Sequence, residues 1–310
     1  MIAEKLYLKA ESLEQAIYEA NGHPDSFRYI AGGTDVIVNK FQGNDESTYL
    51  IDISGIKELK NVVTAENHIE IGSLVTLDDL QKHKIIADNF PILLEAAHSV
   101  ASPMIRKTAT LGGNLLCENR CSFYNQTEWW REAVGYCLKC EGDICIATGG
   151  KKNCFSKFVA DTAVALISLN ASIEIFENNT TSIIPLESIY TGDGVSPRNF
   201  NKTSIIKSIH IPTNNGYKGV YKKLRQRESL EFSSLTTSVT IDKLGEIRIA
   251  LGGVDPKPIL IVGTIKDDLQ SLITKAVKKA RIVDNDVYSR EYRKEMISVY
   301  LNRSFKELGK

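Results

Sequence analysis

Leu13, Ala16, Ile17 and Ala20 recur at the three- and four-residue steps of a helix face. Ahead of them, Ser12-Leu13-Glu14-Gln15 has the form of a capping box, in which the serine accepts an orphan backbone N–H and the glutamine reaches back. Asn21-Gly22 and Pro24 end that helix. Residues 28–31 read as a strand running into Gly32-Gly33-Thr34-Asp35 and on into Val36-Ile37-Val38. A second strand, residues 49–53, closes a small α/β unit near residue 55.

The next stretch opens with a strand at residues 69–72, then a helix capped by Thr76 with Asp79 at the box position, and a second helix over 91–101. A loop leads to Thr110-Leu111-Gly112-Gly113-Asn114. Further on, Asp161 reads as the cap of a helix over 162–169, followed by a strand at 172–176. Residues 191–202, TGDGVSPRNFNK, are rich in turn formers and mark a linker. Residues 204–211, 219–224, 234–241 and 247–251 then read as successive strands of one antiparallel sheet, with helices over 266–280 and 289–301. The pattern divides into units at 1–55, 56–195 and 196–310, with no internal repeat.

Composition narrows the class without naming it. Of the residues, 43% are hydrophobic and 25% charged, and 38 Lys and Arg balance 38 Asp and Glu. No basic excess points to nucleic acid or an anionic membrane. No apolar run reaches the roughly 18 residues a spanning helix needs, and the start, MIAEKLYLKAESLEQ, lacks an apolar signal core. The expected setting is the cytoplasm, where structural disulfides are rare.

The cysteines change that picture. All six lie between Cys117 and Cys154, spaced C-x3-C-x15-C-x2-C-x4-C-x8-C. Thiolates at such spacings converge on zinc or on an iron–sulfur cluster. A zinc set of Cys117, Cys121, Cys137 and Cys140 satisfies the spacing rules, and spacing alone does not separate zinc from a cluster. Tyr124 and the Trp129-Trp130 pair read as packing for this loop. The histidines (His23, His68, His83, His98 and His210) are dispersed, with no Glu-x-x-His or His-x-x-x-His arrangement, and none is assigned to catalysis or metal.

Adjacent glycines let backbone approach a ligand and can aim successive N–H groups at an anion, although such turns also occur as plain punctuation. Neither glycine turn fits G-x-G-x-x-G, which argues against a Rossmann site. Ala31-Gly32-Gly33-Thr34-Asp35 together with Thr110-Leu111-Gly112-Gly113-Asn114 resembles the paired FAD signatures of the flavoprotein subunits of molybdenum hydroxylases. Further matches keep the family's order: Ile71-Gly72-Ser73, Ala101-Ser102-Pro103 with Ile105-Arg106, Asp161 in D-x-A-x-A-L, residues 208–212, Tyr221-Lys222 ahead of Arg225-x-Arg227-Glu228, and residues 289–293. The resemblance covers about residues 1–305. Val164 departs from it, standing where the family commonly has proline.

The resemblance implies an α+β fold: a PCMH-type FAD-binding domain of two α/β subdomains, then an α+β C-terminal domain with an antiparallel sheet. Tyr29, Ile30, Ala31, Gly32, Gly33, Thr34, Asp35 and Val36, with Thr110, Leu111, Gly112, Gly113 and Asn114, would hold the FAD pyrophosphate and adjoining sugar. Asp161 would accept from a flavin-side hydroxyl, and Ile206 and Lys222 would lie near the isoalloxazine. Asp161 also has a plain reading as a helix cap, and Lys222 as a solvated lysine.

About 40 residues intervene between the TLGGN turn and the helix at Asp161, where ordinary family members have almost none. That insertion resembles the β subunit of 4-hydroxybenzoyl-CoA reductase. The resemblance implies a [4Fe-4S] cluster held by Cys121, Cys137, Cys145 and Cys154, with Cys117 and Cys140 as spares. It further implies a molybdenum-cofactor catalytic subunit and a [2Fe-2S] subunit as partners, with ferredoxin as electron donor. Other readings are the FAD subunit of a xanthine- or aldehyde-type hydroxylase delivering electrons to NAD or another acceptor, and a noncatalytic assembly subunit with a zinc loop.

Overall fold

The computed structural model describes residues 6–310. Its first unit runs β1 (Leu6–Lys9), α1 (Leu13–Gly22), β2 (Phe27–Ile30), α2 (Val36–Phe41) and β3 (Tyr49–Asp52). The strands form a parallel sheet in the order β1-β3-β2. Ser12 caps α1, accepting from the Gln15 N–H, while Gln15 Oε1 accepts from the Glu11 N–H. Leu13, Ala16, Ile17 and Ala20 are its buried face. The Val36-Ile37-Val38 run is the start of a helix rather than a strand, because the chain turns at Gly33 and Asp35 takes the N-cap position of α2.

The second unit contains β4 (Val62–Thr64), β5 (His68–Gly72), α3 (Leu77–Leu80), α4 (Lys84–Asn89), α5 (Pro91–Ser99), α6 (Pro103–Arg106), α7 (Leu111–Leu115), α8 (Glu128–Val134), α9 (Asp161–Ser168), β6 (Ser172–Glu177), β7 (Thr180–Pro185) and β8 (Ile205–Pro212). Its antiparallel sheet has the order β4-β5-β8-β6-β7. The strand expected to open the C-terminal sheet therefore belongs here, inserted between β5 and β6. A bulge beside Lys207 lets Ile206 pair with Ile175 toward the core while Ser208 pairs with Glu174 on the outer face. The division between sheets thus falls after Pro212, not at residue 195.

The third unit is β9 (Lys218–Leu224), β10 (Leu235–Ile241), β11 (Glu246–Gly252), β12 (Ile259–Thr264), α10 (Leu269–Lys279) and α11 (Arg290–Glu307). Its sheet is antiparallel, in the order β12-β11-β10-β9. Leu235, Val239, Ile249, Leu272, Ile297 and Leu301 form its core. The opposite face of β10 packs on α9, whose eight residues are all buried. Thr236, Ser238 and Thr240 present hydroxyls there: Ser238 Oγ meets Ser168 Oγ at 2.7 Å, and Thr240 donates to the Ser168 carbonyl at 2.6 Å. The two units are joined through this wholly buried helix. No helix is long and apolar enough to cross a membrane among the described residues.

Candidate functional site

The C-terminal ends of β2 and β5, the start of α7, the strand β8 and residues 198–204 and 230–232 surround one cavity of about 520 Å³. Of the residues expected at the site, Tyr29, Ala31–Val36, Thr110, Gly112–Asn114, Asp161 and Ile206 line it. Ile30, Leu111 and Lys222 do not. Leu111 is fully buried in the core beneath the turn.

The two glycine turns meet closely here. A Cβ at Gly32 would stand 1.8 Å from the Thr108 carbonyl oxygen, so the first turn rests directly on the chain entering the second. Gly33 has φ +71°, in the left-handed region that favours glycine. The N–H groups of Gly32, Gly33, Thr34 and Asp35 donate to no backbone carbonyl among the described residues, which suits an anion.

The second turn differs. Gly112 N–H donates to the Ser73 carbonyl at 2.8 Å, and Gly113 N–H to Thr110 Oγ1 at 3.1 Å, so Thr110 is the N-cap of α7. A Cβ at Gly112 would stand 2.7 Å from Ser73 Cβ. This turn supplies fit and shape, while the unpartnered donors belong to the first. Asn114 Oδ1 accepts from the Thr162 N–H at 3.2 Å and hydroxyl at 2.6 Å, locking α7 to α9.

Asp161 caps nothing: Ala160 is the N-cap, without a side-chain bond. Its carboxylate accepts instead from Lys223 Nζ at 2.6 Å and Thr236 Oγ1 at 3.1 Å. Lys223 also donates to the Ser99 carbonyl at 3.0 Å. Neighbouring residues of a strand face opposite ways, so Lys222 points toward α11 and pairs with Glu307 at 2.6 Å. The lysine tied to the cavity is therefore Lys223.

Several lining residues carry no local motif. Arg120 pairs with Asp35 and lies over the Phe232 ring, 4.6 Å from its centroid. Arg198, from the turn-rich segment, donates to the Cys117 carbonyl at 2.7 Å. Leu230, Glu231 and Phe232 come from the third unit, and the Leu230 N–H donates to the Ala101 carbonyl at 3.1 Å. The one sequence signal that points to Arg120 is its place beside Cys121, since the insertion has to leave the second glycine turn before reaching its thiols.

The cysteine loop builds a second, smaller cavity. Cys121, Cys137, Cys145 and Cys154 all line it, with Tyr124, Lys139 and Ser156. Each of the four is at most 8% exposed. Cys117 instead lines the large cavity and Cys140 lines neither, which divides the zinc set of Cys117, Cys121, Cys137 and Cys140. No disulfide joins any of the six. Three or more donor atoms within 4.8 Å of one another occur among the described residues only at His68, Glu70 and His210. A zinc tetrahedron with bonds of about 2.3 Å would need its sulfurs roughly 3.8 Å apart, so the thiols are spread more widely than a single ion requires. Burial pushes the Cys121 thiol up to about 11, whereas a hydrogen bond from Cys140 lowers Cys137 to about 6. Tyr124 is buried as expected, but Trp129 is 74% exposed.

The two cavities share a wall. Arg120 faces the first and Cys121 the second. Glu118 lines the first and accepts from Lys139, which lines the second, at 3.0 Å. Burial alone would raise the Glu118 carboxyl, but Lys139 and Arg28 beside it hold it down at about 2. Arg131 of α8 donates to the Gln42 carbonyl at 2.8 Å, fastening the insertion to the first unit.

Residues 2–214 match the family described as FAD binding domain in molybdopterin dehydrogenase. The aldehyde oxidoreductase FAD-binding subunit PaoB of Escherichia coli strain K12 is 30% identical over 261 residues, covering 81% of this chain and 82% of that one. The glyceraldehyde dehydrogenase medium chain of Sulfolobus acidocaldarius is 24% identical over 315 residues, 98% of each chain. The carbon monoxide dehydrogenase of Hydrogenophaga pseudoflava shares the fold, with a TM-score of 0.76 at 18% identity, over 99% of this chain and 98% of that one. The two-subdomain flavin fold with an α+β C-terminal unit is thus borne out, and the chain belongs to the FAD-binding subunits of the molybdenum hydroxylase family of oxidoreductases.

Proposed function

We propose that the chain is an FAD- and [4Fe-4S]-carrying electron-transfer subunit of a molybdenum-dependent oxidoreductase similar to 4-hydroxybenzoyl-CoA reductase. The observation that carries this reading is the convergence of four buried thiols on one cavity that shares a wall with the flavin cavity. Bound FAD supplies one- and two-electron exchange, and a cluster one-electron exchange. Cys121, Cys137, Cys145 and Cys154 would hold the cluster. Cys140 would act through Cys137, and Lys139 would place a positive charge beside the sulfurs.

On the flavin side, the unpartnered N–H groups of residues 32–35 would bind the diphosphate. Arg120, Arg198 and Lys202 set cationic charge around the cavity, and residues 230–232 cover it. A molybdenum-cofactor subunit and a [2Fe-2S] subunit would complete the enzyme, with ferredoxin delivering electrons at the cluster. A cytoplasmic setting, which keeps thiols reduced, suits these ligands.

The test is iron, sulfide and flavin analysis with low-temperature EPR on anaerobically purified chain. Four iron and four sulfide per chain are expected for a [4Fe-4S] cluster; FAD with less than one iron per chain would sink the proposal. The names of the relatives favour a second reading, an aldehyde-type hydroxylase passing electrons outward to NAD or another acceptor. Turnover of the assembled complex with reduced ferredoxin, compared with NAD, separates the two directions.

A further inference from the structure

We propose that the outer face of the five-stranded sheet carries a separate metal site, in which His68, Glu70 and His210 hold a borderline divalent cation such as Zn2+. The dispersed histidines offer no local motif, but strand pairing brings residues distant in sequence together. Glu70 stands opposite His210 across β5 and β8, and His68 lies two residues along on the same face. One ring nitrogen of each histidine and a Glu70 oxygen lie within 4.8 Å of one another. The two rings stack with centroids 4.7 Å apart, 21° from parallel. His210 is only 9% exposed, and His68 and Glu70 are half-buried.

The surroundings prepare His210 as a ligand. Ser208 Oγ stands 2.9 Å from Glu174 Oε2 and 2.9 Å from His210 Nε2. A hydroxyl has one proton, and the carboxylate can only accept it. Nε2 must then carry a hydrogen and donate to Ser208, which leaves the lone pair of the neutral ring on Nδ1. A carboxylate fixing a histidine tautomer through a relay is the usual support of a metal-binding imidazole. Lys207 is engaged by Glu174 at 3.1 Å, and Glu70 forms no ion pair among the described residues. Two imidazoles and a carboxylate match the protein ligands of a zinc donor set. None of the three residues lines the flavin or the thiol cavity, so the site stands or falls independently of the cluster.

The FAD-loaded full chain is equilibrated with micromolar ZnCl2, bound zinc is counted, and its neighbours are read by X-ray absorption at the zinc edge. One zinc per chain with nitrogen and oxygen neighbours at roughly 2.0–2.1 Å is expected. It should be lost in His68→Ala and in His210→Ala at unchanged flavin content, and held about 10- to 100-fold more weakly in Ser208→Ala. No uptake, equal uptake by wild type and both histidine variants, or zinc with sulfur neighbours alone would overturn the proposal.

Discussion

Gly32 and Gly33 solve different problems within one turn. At Gly32 any side chain collides with the Thr108 carbonyl, a backbone atom that cannot step aside, while at Gly33 the demand is a positive φ. Gly113 has neither the backbone clash nor the positive φ, but an added Cβ would stand 2.8 Å from Thr110 Oγ1, so the hydroxyl that caps α7 would have to shift. Gly32→Ala should therefore abolish FAD retention and lower thermal stability, whereas Gly113→Ala should cost less of both; flavin absorbance and melting curves compare them. The adjacent lysines make a sharper pair. Lys223→Met leaves the Asp161 carboxylate buried without its cation, which should cost about 3–5 kcal/mol. Lys222→Met breaks a surface pair worth at most about 1 kcal/mol, and denaturant melts of both variants measure the contrast. The resemblance implied Lys222 at the site, yet Lys222 pairs with Glu307 and it is Lys223 that reaches Asp161, because only the strand's pairing decides which of the two faces inward. Asp161 entered the site through the resemblance, while its own pattern, a polar residue ahead of an apolar helix, looks like a cap until its partner on β9 is known.

Glu118 extends the residue argument to acid. Its folded-state value of about 2 lies below the ordinary one, so its contribution is complete above about pH 4–5 and is lost as pH falls through about 2. A depression of that size corresponds to about 3 kcal/mol. Glu118→Gln should lower stability at neutral pH and flatten its fall between about pH 5 and 2, read by denaturant melts across that range.

At the scale of elements, the cysteine insertion is held to its surroundings at its middle by Arg131 on the Gln42 carbonyl and near its start by Asn119 on the carbonyls of Ser156 and Pro256. The thiols are thus already gathered on a supported loop. On the proposed cluster, Cys121→Ser should lose the EPR signal and the iron, while Cys140→Ser should keep the iron and shift the signal, since Cys140 lies outside the thiol cavity. Zinc in place of iron, lost in Cys140→Ser and kept in Cys145→Ser, would favour the other set. How the six divide was legible only through resemblance, because spacing permits both sets and only the folded loop separates Cys117 from the rest. β10 shows a different limit. Its Thr236, Ser238 and Thr240 occupy one face of the strand, opposite Leu235, Val239 and Ile241, as a solvent-facing strand would, yet all three are buried against α9. Hydroxyls that find partners on a neighbouring helix cannot be told from hydroxyls in water by pattern alone.

Across the whole molecule, the boundary that matters is set by β8. The chain leaves the second unit through residues 191–204, returns as the middle strand of its sheet, and only then builds the third unit. A turn-rich segment looks like a linker whether the chain departs or comes back, which is why the division was expected too early. The family match ends at residue 214, close to the end of that strand, but the larger cavity does not end there. Leu230, Glu231 and Phe232 supply part of its wall, Lys223 neutralises Asp161, and β10 and β11 cover α9. A fragment stopping at residue 216 would keep both glycine turns and all six thiols. It would nevertheless expose the apolar flank of α9 and leave Asp161 unpaired, and a large exposed apolar patch promotes association. Such a fragment should be poorly soluble and flavin-free when expressed, measured by the soluble fraction and its absorbance near the flavin band. A soluble fragment retaining FAD would mean that the C-terminal unit merely covers a site that the first two units complete alone.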